Sequence, residues 1–205
     1  INAAVFGMVA HGIITGMLFF LAGSVKDRYH TMEMSRLGGL LQQAPRMGWI
    51  LGFCVMASLG LPGLAGFWGE FPAILASYNP AEILNEAVFR SYMVIAAIGT
   101  VLAAGYLLWM LQKTAFGNAR AEFADSPDIT DASPREYLAW APLLVLIVVL
   151  GFFPRLLHEA TDPAVRESLQ VEAVNGSPGD CLEVERGEEC FERLRRVGEQ
   201  AGSGR

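Results

Sequence analysis

The sequence predicts an all-α protein, a polytopic membrane helix bundle with four transmembrane helices, the second of them discontinuous. Three observations predict it. The 205 residues are 53% hydrophobic and 18% charged, which is too apolar for a soluble domain and too charged for a chain that is membrane throughout. The charge is segregated: between positions 47 and 157 most ionisable residues fall in two short stretches, 79–90 and 113–136. What remains is four apolar runs of about the 20 residues that cross ~30 Å of hydrocarbon.

The first run covers 2–25, and His11 is its only ionisable residue. The second covers 47–78. Its 32 residues would stretch to about 48 Å as a straight helix, too long for one span. Leu61-Pro62-Gly63 resolves the excess, because Pro62 removes a backbone bond and Gly63 relaxes the chain. Carbonyls freed at membrane depth are tolerated only inside protein or beside water, so this helix is expected inside the bundle. The third run, 91–111, has no Asp, Glu, Lys, Arg or His. The fourth covers 138–157, with Pro154 and Arg155 at the interface. Residues 1–157 then form the transmembrane domain, and 158–205 form a polar, partly disordered tail. After Pro154 the chain carries seven Arg and eleven acids, about two thirds of the net charge of −6. Pro163, Gly176, Ser177, Pro178 and Gly179 punctuate that tail, and 191–200 reads as a short charged helix.

Ile1 opens the chain already apolar, without a basic n-region or cleavage site, so a signal peptide is not the expectation. The expectation is the C-terminal part of a longer membrane protein. Orientation follows from basic residues in the short loops. Lys26, Arg28, Arg36 and Arg46 lie after the first run, and Lys113, Arg120 and Arg135 after the third. Arg90 lies between the second and third, and Arg155 and Arg166 follow the fourth. The first and third loops are therefore expected on the cytoplasmic side and the tail on the far side. Tyr137 and Trp140 fit an interfacial aromatic belt. Cys181 and Cys190, nine apart in the tail, could pair if it faces an oxidising compartment, and Cys54 reads as a small packing residue.

Glu70 is the only acid of the second run. A carboxylate in hydrocarbon costs roughly 2.5–3.5 kcal/mol on insertion scales, so one kept there is usually used. Burial disfavours the charged form, which brings loading and unloading of a proton within reach of physiological pH. The plainer alternatives are a structural Glu bonded to a neighbouring helix, or one solvated near the interface eight residues before Tyr78. His11 offers two ring nitrogens for proton transfer; its alternative is a satisfied core histidine. Gly60, Gly63, Gly66 and Gly69 recur every third residue beside Glu70, and Gly12 and Gly16 form a GxxxG; both patterns suit close packing. The cluster Lys26, Arg28, His30, Glu33 and Arg36 reads mainly as solvated loop charge. There is no GxGxxG, P-loop, CxxC or HExxH and no His pair at haem-like spacing, so no redox cofactor is expected on this chain. The charge balance also argues against nucleic-acid binding.

These residues carry a resemblance. His11-Gly12, Leu18-Phe19, Gly23, Arg28-Tyr29-His30-Thr31 and Gly38-Gly39-Leu40 are followed by Leu59-Gly60-Leu61-Pro62-Gly63 and Gly66-Phe67-Trp68-Gly69-Glu70-Phe71. The pattern over 1–157 resembles the C-terminal part of the antiporter-like, proton-translocating membrane subunits of respiratory complex I, NADH-quinone oxidoreductase. Gly117 after Phe116, and Gly151-Phe152-Phe153-Pro154, also fit it. An acid at position 70 favours the chain M branch, the counterpart of mitochondrial chain 4, over chain L, which places a Lys there. The resemblance implies a fragment of a larger antiporter-like fold of about fourteen helices in two inverted repeats. It implies that Glu70 ends a half-channel, that His11 joins a line of buried polar groups, and that an acid and lysines of that line lie upstream. It implies a non-redox subunit of the bacterial inner membrane, packed among other membrane subunits of complex I in the lipid bilayer. NADH, FMN, iron-sulfur clusters and quinone would bind in partner subunits. Subunits of multisubunit Na+/H+ antiporters and membrane-bound hydrogenases share the motifs, and a structural membrane subunit without an ion path is the alternative of a different class.

Overall fold

The computed structural model describes residues 1–80, 85–124 and 126–175, and every regular element among them is a helix. In chain order these are α1 (Asn2–Tyr29), α2 (Leu40–Gln43), α3 (Pro45–Ser58), α4 (Ala65–Tyr78), α5 (Glu86–Ala115), α6 (Pro134–Phe152) and α7 (Arg155–Asn175). Helices α1, α5 and α6 are each long and apolar enough to cross a membrane. Helices α3 and α4 have 14 residues each, about 21 Å apiece, and reach that length only as a pair. The second apolar run is therefore two half-length helices joined by a non-helical link over 59–64.

Helix α1 is central and packs on α3, α4, α6 and α7. Its buried residues are Phe6, Ala10, Ile14, Met17, Leu21, Val25 and Tyr29. They recur every three or four positions, so they form one stripe down one face. Phe19 and Phe20 lie off that stripe and are exposed. The helix ends where His30 takes a left-handed conformation (φ 51°) and donates its N–H to Lys26 O at 2.7 Å. Lys26 and Arg28 in the last turn suit the negative end of the helix dipole.

The loops after α1 and after α5 pack together at one end of the bundle. The Arg28 guanidinium donates to both oxygens of Glu136 at 2.9 and 2.8 Å, and its Nε to Thr130 O at 2.6 Å. Asp131 accepts from the N–H groups of Arg46 and Met47 at 3.1 and 3.2 Å, capping the first turn of α3 from a distant loop. Tyr29 donates to Gln43 Oε1 at 2.8 Å, and Gln43 donates to Phe123 O at 2.7 Å. Arg36 pairs with Glu122. The polar cluster after α1 is thus partly a clamp between loops, and the two most basic loops share one end of the molecule.

The last apolar run differs from its expected bounds of 138–157. A capping box at Ser133 and Glu136, with Pro134 in the first turn, starts α6 four residues earlier. Phe153 (φ −124°, ψ 61°) leaves the helix because the residue before a proline is driven from the α region. The chain then resumes as α7 through Pro163, so the boundary drawn at 157 falls inside a helix. α7 rests against the start of α1, with the His158 and Phe6 rings 5.2 Å apart. Cys181 and Cys190, and the segment 191–200, lie outside the described residues.

Candidate functional site

The site grows from the link between α3 and α4. Val55 O accepts from Leu59 N–H at 3.0 Å, and Met56 O from Leu61 N–H at 3.4 Å, so the end of α3 caps itself. Gly60 and Gly63 adopt φ of 67° and 92°, a region that side chains with a Cβ rarely enter. Leu61 and Pro62 lie between those turns, and Leu64 N–H reaches back to Leu61 O at 3.1 Å before α4 begins.

Three backbone approaches hold the link against the bundle, but Leu61 and Pro62 are exposed, so in this chain the link lies at the bundle's surface rather than inside it as expected. Gly66 backs onto the carbonyl of Ala57, bringing the two half-helices together. Gly69 backs onto Gly7 of α1. Gly151 of α6 backs onto Gly63, and Trp68 Nε1 donates to Gly151 O at 2.8 Å. Gly12 and Gly16 depart from the expected close packing: no atom lies within 4 Å of where a Cβ on either would point. The α1 residues facing the bundle are set by the Phe6–Tyr29 stripe, and Gly12 is exposed beside it; Gly7 makes the close approach instead.

Glu70 sits in the second turn of α4, and its carboxylate folds back over the link. A Cβ on Gly60 would stand 2.8 Å from Glu70 Oε2. Two cavities flank the carboxylate. One, of about 450 Å³, opens between α4 and α5 and is lined by Ser58, Leu59, Glu70, Thr100 and small residues such as Gly69 and Gly99. The other, of about 50 Å³, is lined by Gly7, Ala10, His11, Ser58, Gly66 and Glu70. That is room for about one or two waters. His11 thus shares the small cavity with Glu70, and its Nε2 lies 3.3 Å from Thr15 Oγ1.

Among the described residues the Glu70 carboxylate makes no hydrogen bond or ion pair, and no arginine locks it. Glu70 and His11, both expected at buried positions, are exposed in this chain alone. The arrangement can hold a proton on a carboxylate, pass it through a short water path and receive it on an imidazole. Among the described residues no three His, Cys, Asp or Glu side chains converge as a metal site requires. Cys54 is fully buried in the core beside Val55.

Sequence reasoning missed Ser58, which lines both cavities, and Thr100 across the cleft. Ser58 had a signal, a hydroxyl in the last turn before a helix break; Thr100, in an otherwise apolar run, depended on which face α5 turns inward.

Residues 1–103 match a family described as NADH:quinone oxidoreductase/Mrp antiporter, TM. Subunit M of NADH-quinone oxidoreductase from Rhodobacter capsulatus is 35% identical over 170 residues, 83% of this chain and 31% of that protein. Chain 4 of NAD(P)H-quinone oxidoreductase from Synechococcus sp. (strain CC9902) is 36% identical over 164 residues, 80% of this chain and 30% of that protein. Among solved structures, respiratory complex I from Thermus thermophilus with bound NADH contains a chain that aligns with a TM-score of 0.66 and 29% identity. That alignment covers 79% of this chain and 32% of the other. The chain therefore spans about a third of the length of the relatives it matches.

Proposed function

The chain belongs to the NADH:quinone oxidoreductase/Mrp antiporter family of membrane proteins, and on that premise we propose that it forms the C-terminal part of a proton-translocating, non-redox subunit of an NADH:quinone oxidoreductase. The observation that carries the reading is Glu70: a carboxylate without an ion pair among the described residues, over a broken helix, between a cleft and a water-sized cavity shared with His11. Electron transfer, with NADH, FMN, iron-sulfur clusters and quinone, belongs to partner subunits. In this reading the relay's other buried acid and lysines lie in a part of the subunit outside these 205 residues.

The chemistry is electrostatic. A charge change in a neighbouring subunit alters how tightly Glu70 holds its proton. The proton then moves between Glu70 and His11 through water in the small cavity, with the Ser58 hydroxyl in reach of either path. The gap between α3 and α4 supplies backbone dipoles beside Glu70, which membrane depth tolerates in protein or beside water. The excess of Lys and Arg in the loops after α1 and α5 supports an orientation with that end of the bundle on the cytoplasmic side of a bacterial membrane.

The test is Glu70→Gln in the intact complex, which keeps size and polarity and removes the titration. NADH oxidation by reconstituted vesicles continues while the proton-to-electron ratio falls; an unchanged ratio sinks the reading. The matched family also covers Mrp antiporters, which favours a second reading as part of a Na+/H+ antiporter. Transport that requires sodium and ignores quinone supports that one. If the Glu70 carboxyl never protonates between about pH 5 and 9, well above the ordinary Glu range, an infrared titration makes the chain a structural membrane subunit instead.

A further inference from the structure

Two cavities adjoin at the end of the bundle where the loops after α1 and α5 meet, and neither belongs to the Glu70 site. The first, of about 410 Å³, is apolar: Leu18, Leu21 and Val25 form its α1 wall, Leu51 its α3 wall and Met110 its α5 wall. The second, of about 500 Å³, is lined by Gly38, Lys113, Gly117, Asn118 and Arg120 among others. Leu37 lines both, and Thr114 of the first adjoins Lys113 of the second in the chain. Lys113 and Arg120 are the ionisable side chains that line the second cavity. Neither side chain has a hydrogen bond or ion pair among the described residues, while the neighbouring acid Glu122 is engaged by Arg36. In a chain of net charge −6, this corner presents two cations that make no ion pair among the described residues.

Lys113 lies in the last turn of α5, where the apolar span gives way to a polar loop. In a membrane that is headgroup level, where long basic side chains point outward from hydrocarbon. The apolar cavity runs from there toward mid-membrane along α1. A dry groove with a cationic mouth matches one class of membrane molecule. We infer that the two cavities form a site for an anionic phospholipid, its phosphate against Lys113 and Arg120 and one acyl chain along Leu18, Leu21, Val25 and Met110. Charge complementarity decides the class, because a zwitterionic headgroup brings its own cation to a mouth that already holds two. The inference needs the chain to sit in a membrane with this groove open to lipid, and it stands apart from the proton-transfer reading.

The experiment uses the intact complex in vesicles and a photoactivatable phosphatidylglycerol with the reactive group on its acyl chain. The phosphatidylcholine analogue is the comparison. Crosslinks are expected on the peptide that holds Met110 and on the α1 segment 18–25, about tenfold more from phosphatidylglycerol at low salt, with the preference shrinking at high salt. Lys113→Gln with Arg120→Gln removes the preference; Ala22→Phe, which fills the groove wall, removes labelling by both lipids. Excess inorganic phosphate leaves the labelling in place, because the acyl chain holds the lipid. Equal labelling by the two lipids in the unsubstituted complex overturns the proposal without any variant having to assemble. So does displacement by inorganic phosphate, which marks a phosphate site alone.

Discussion

Glu70 and Gly60 depend on each other. Gly60 turns the chain with a positive φ, and its missing side chain is the space that the Glu70 carboxylate occupies. Gly60→Ala therefore carries two penalties. The left-handed backbone costs about 1–2 kcal/mol for a residue with a Cβ, and the added methyl displaces the carboxylate. The expected outcome is a lower melting temperature of the purified complex and a reduced proton-to-electron ratio, both in one variant. Ser58→Ala separates the roles, since it removes a hydroxyl from both cavities and leaves the backbone alone. Its melting temperature is expected to stay near that of the unaltered complex while pumping slows; unchanged pumping takes Ser58 out of the path. Glu70 itself was legible in the sequence as the lone acid of an apolar run. Its position over Gly60, ten residues earlier, was not, because that proximity exists only once the link has turned the chain back.

The clearest physics among the elements is at their ends. α3 begins with Pro45 and lacks a local side-chain cap. Asp131, 84 residues from Met47, supplies the cap across the loop interface. Asp131→Ala is expected to cost about 1 kcal/mol, read as faster hydrogen exchange of the Arg46 and Met47 amides. The Arg28–Glu136 pair joins α1 to α6 with side chains only 10% and 23% exposed. Glu136→Gln leaves a largely buried guanidinium short of its counter-charge, a loss of roughly 2 kcal/mol after allowing for partial exposure. Denaturant titration of the complex with and without the substitution measures it. The start of α6 had a signal, Ser133 and Glu136 three apart with Pro134 between, but hydropathy alone set the expected start at 138. The restart as α7 was missed because Pro163 and the polar composition read as punctuation, whereas proline is tolerated where packing or solvent takes up the freed carbonyl.

Among the described residues, the long apolar helices expose hydrophobic side chains on the outside as well as burying them in the core. α5 exposes Tyr92, Ile95, Val101, Leu102, Tyr106 and Trp109, a face that needs lipid or a partner subunit to cover it. The direction of the helices gives a topology that labelling can test. Single cysteines at Gln42 and Asn118, whose side chains are bonded to each other at 3.2 Å, are expected to react with an impermeant maleimide from the same side of sealed vesicles. A cysteine at Asn79, at the far end of α4, is expected to react only from the other side. Reaction of all three from one side rules out the bundle crossing the membrane as described.

What the sequence alone determined was the membrane class, the helical content, the broken second span and the lone acid beside it. These follow from composition, run length and helix-breaking residues, all local properties that need no partner. Only the tertiary structure decided that Gly7 rather than Gly12 and Gly16 meets α4, that Asp131 caps α3, and that Glu70 shares a water-sized cavity with His11 and Ser58. Those facts depend on how far each helix is rotated about its axis and where distant loops land. In a chain apolar on every face, hydrophobic periodicity does not encode that rotation.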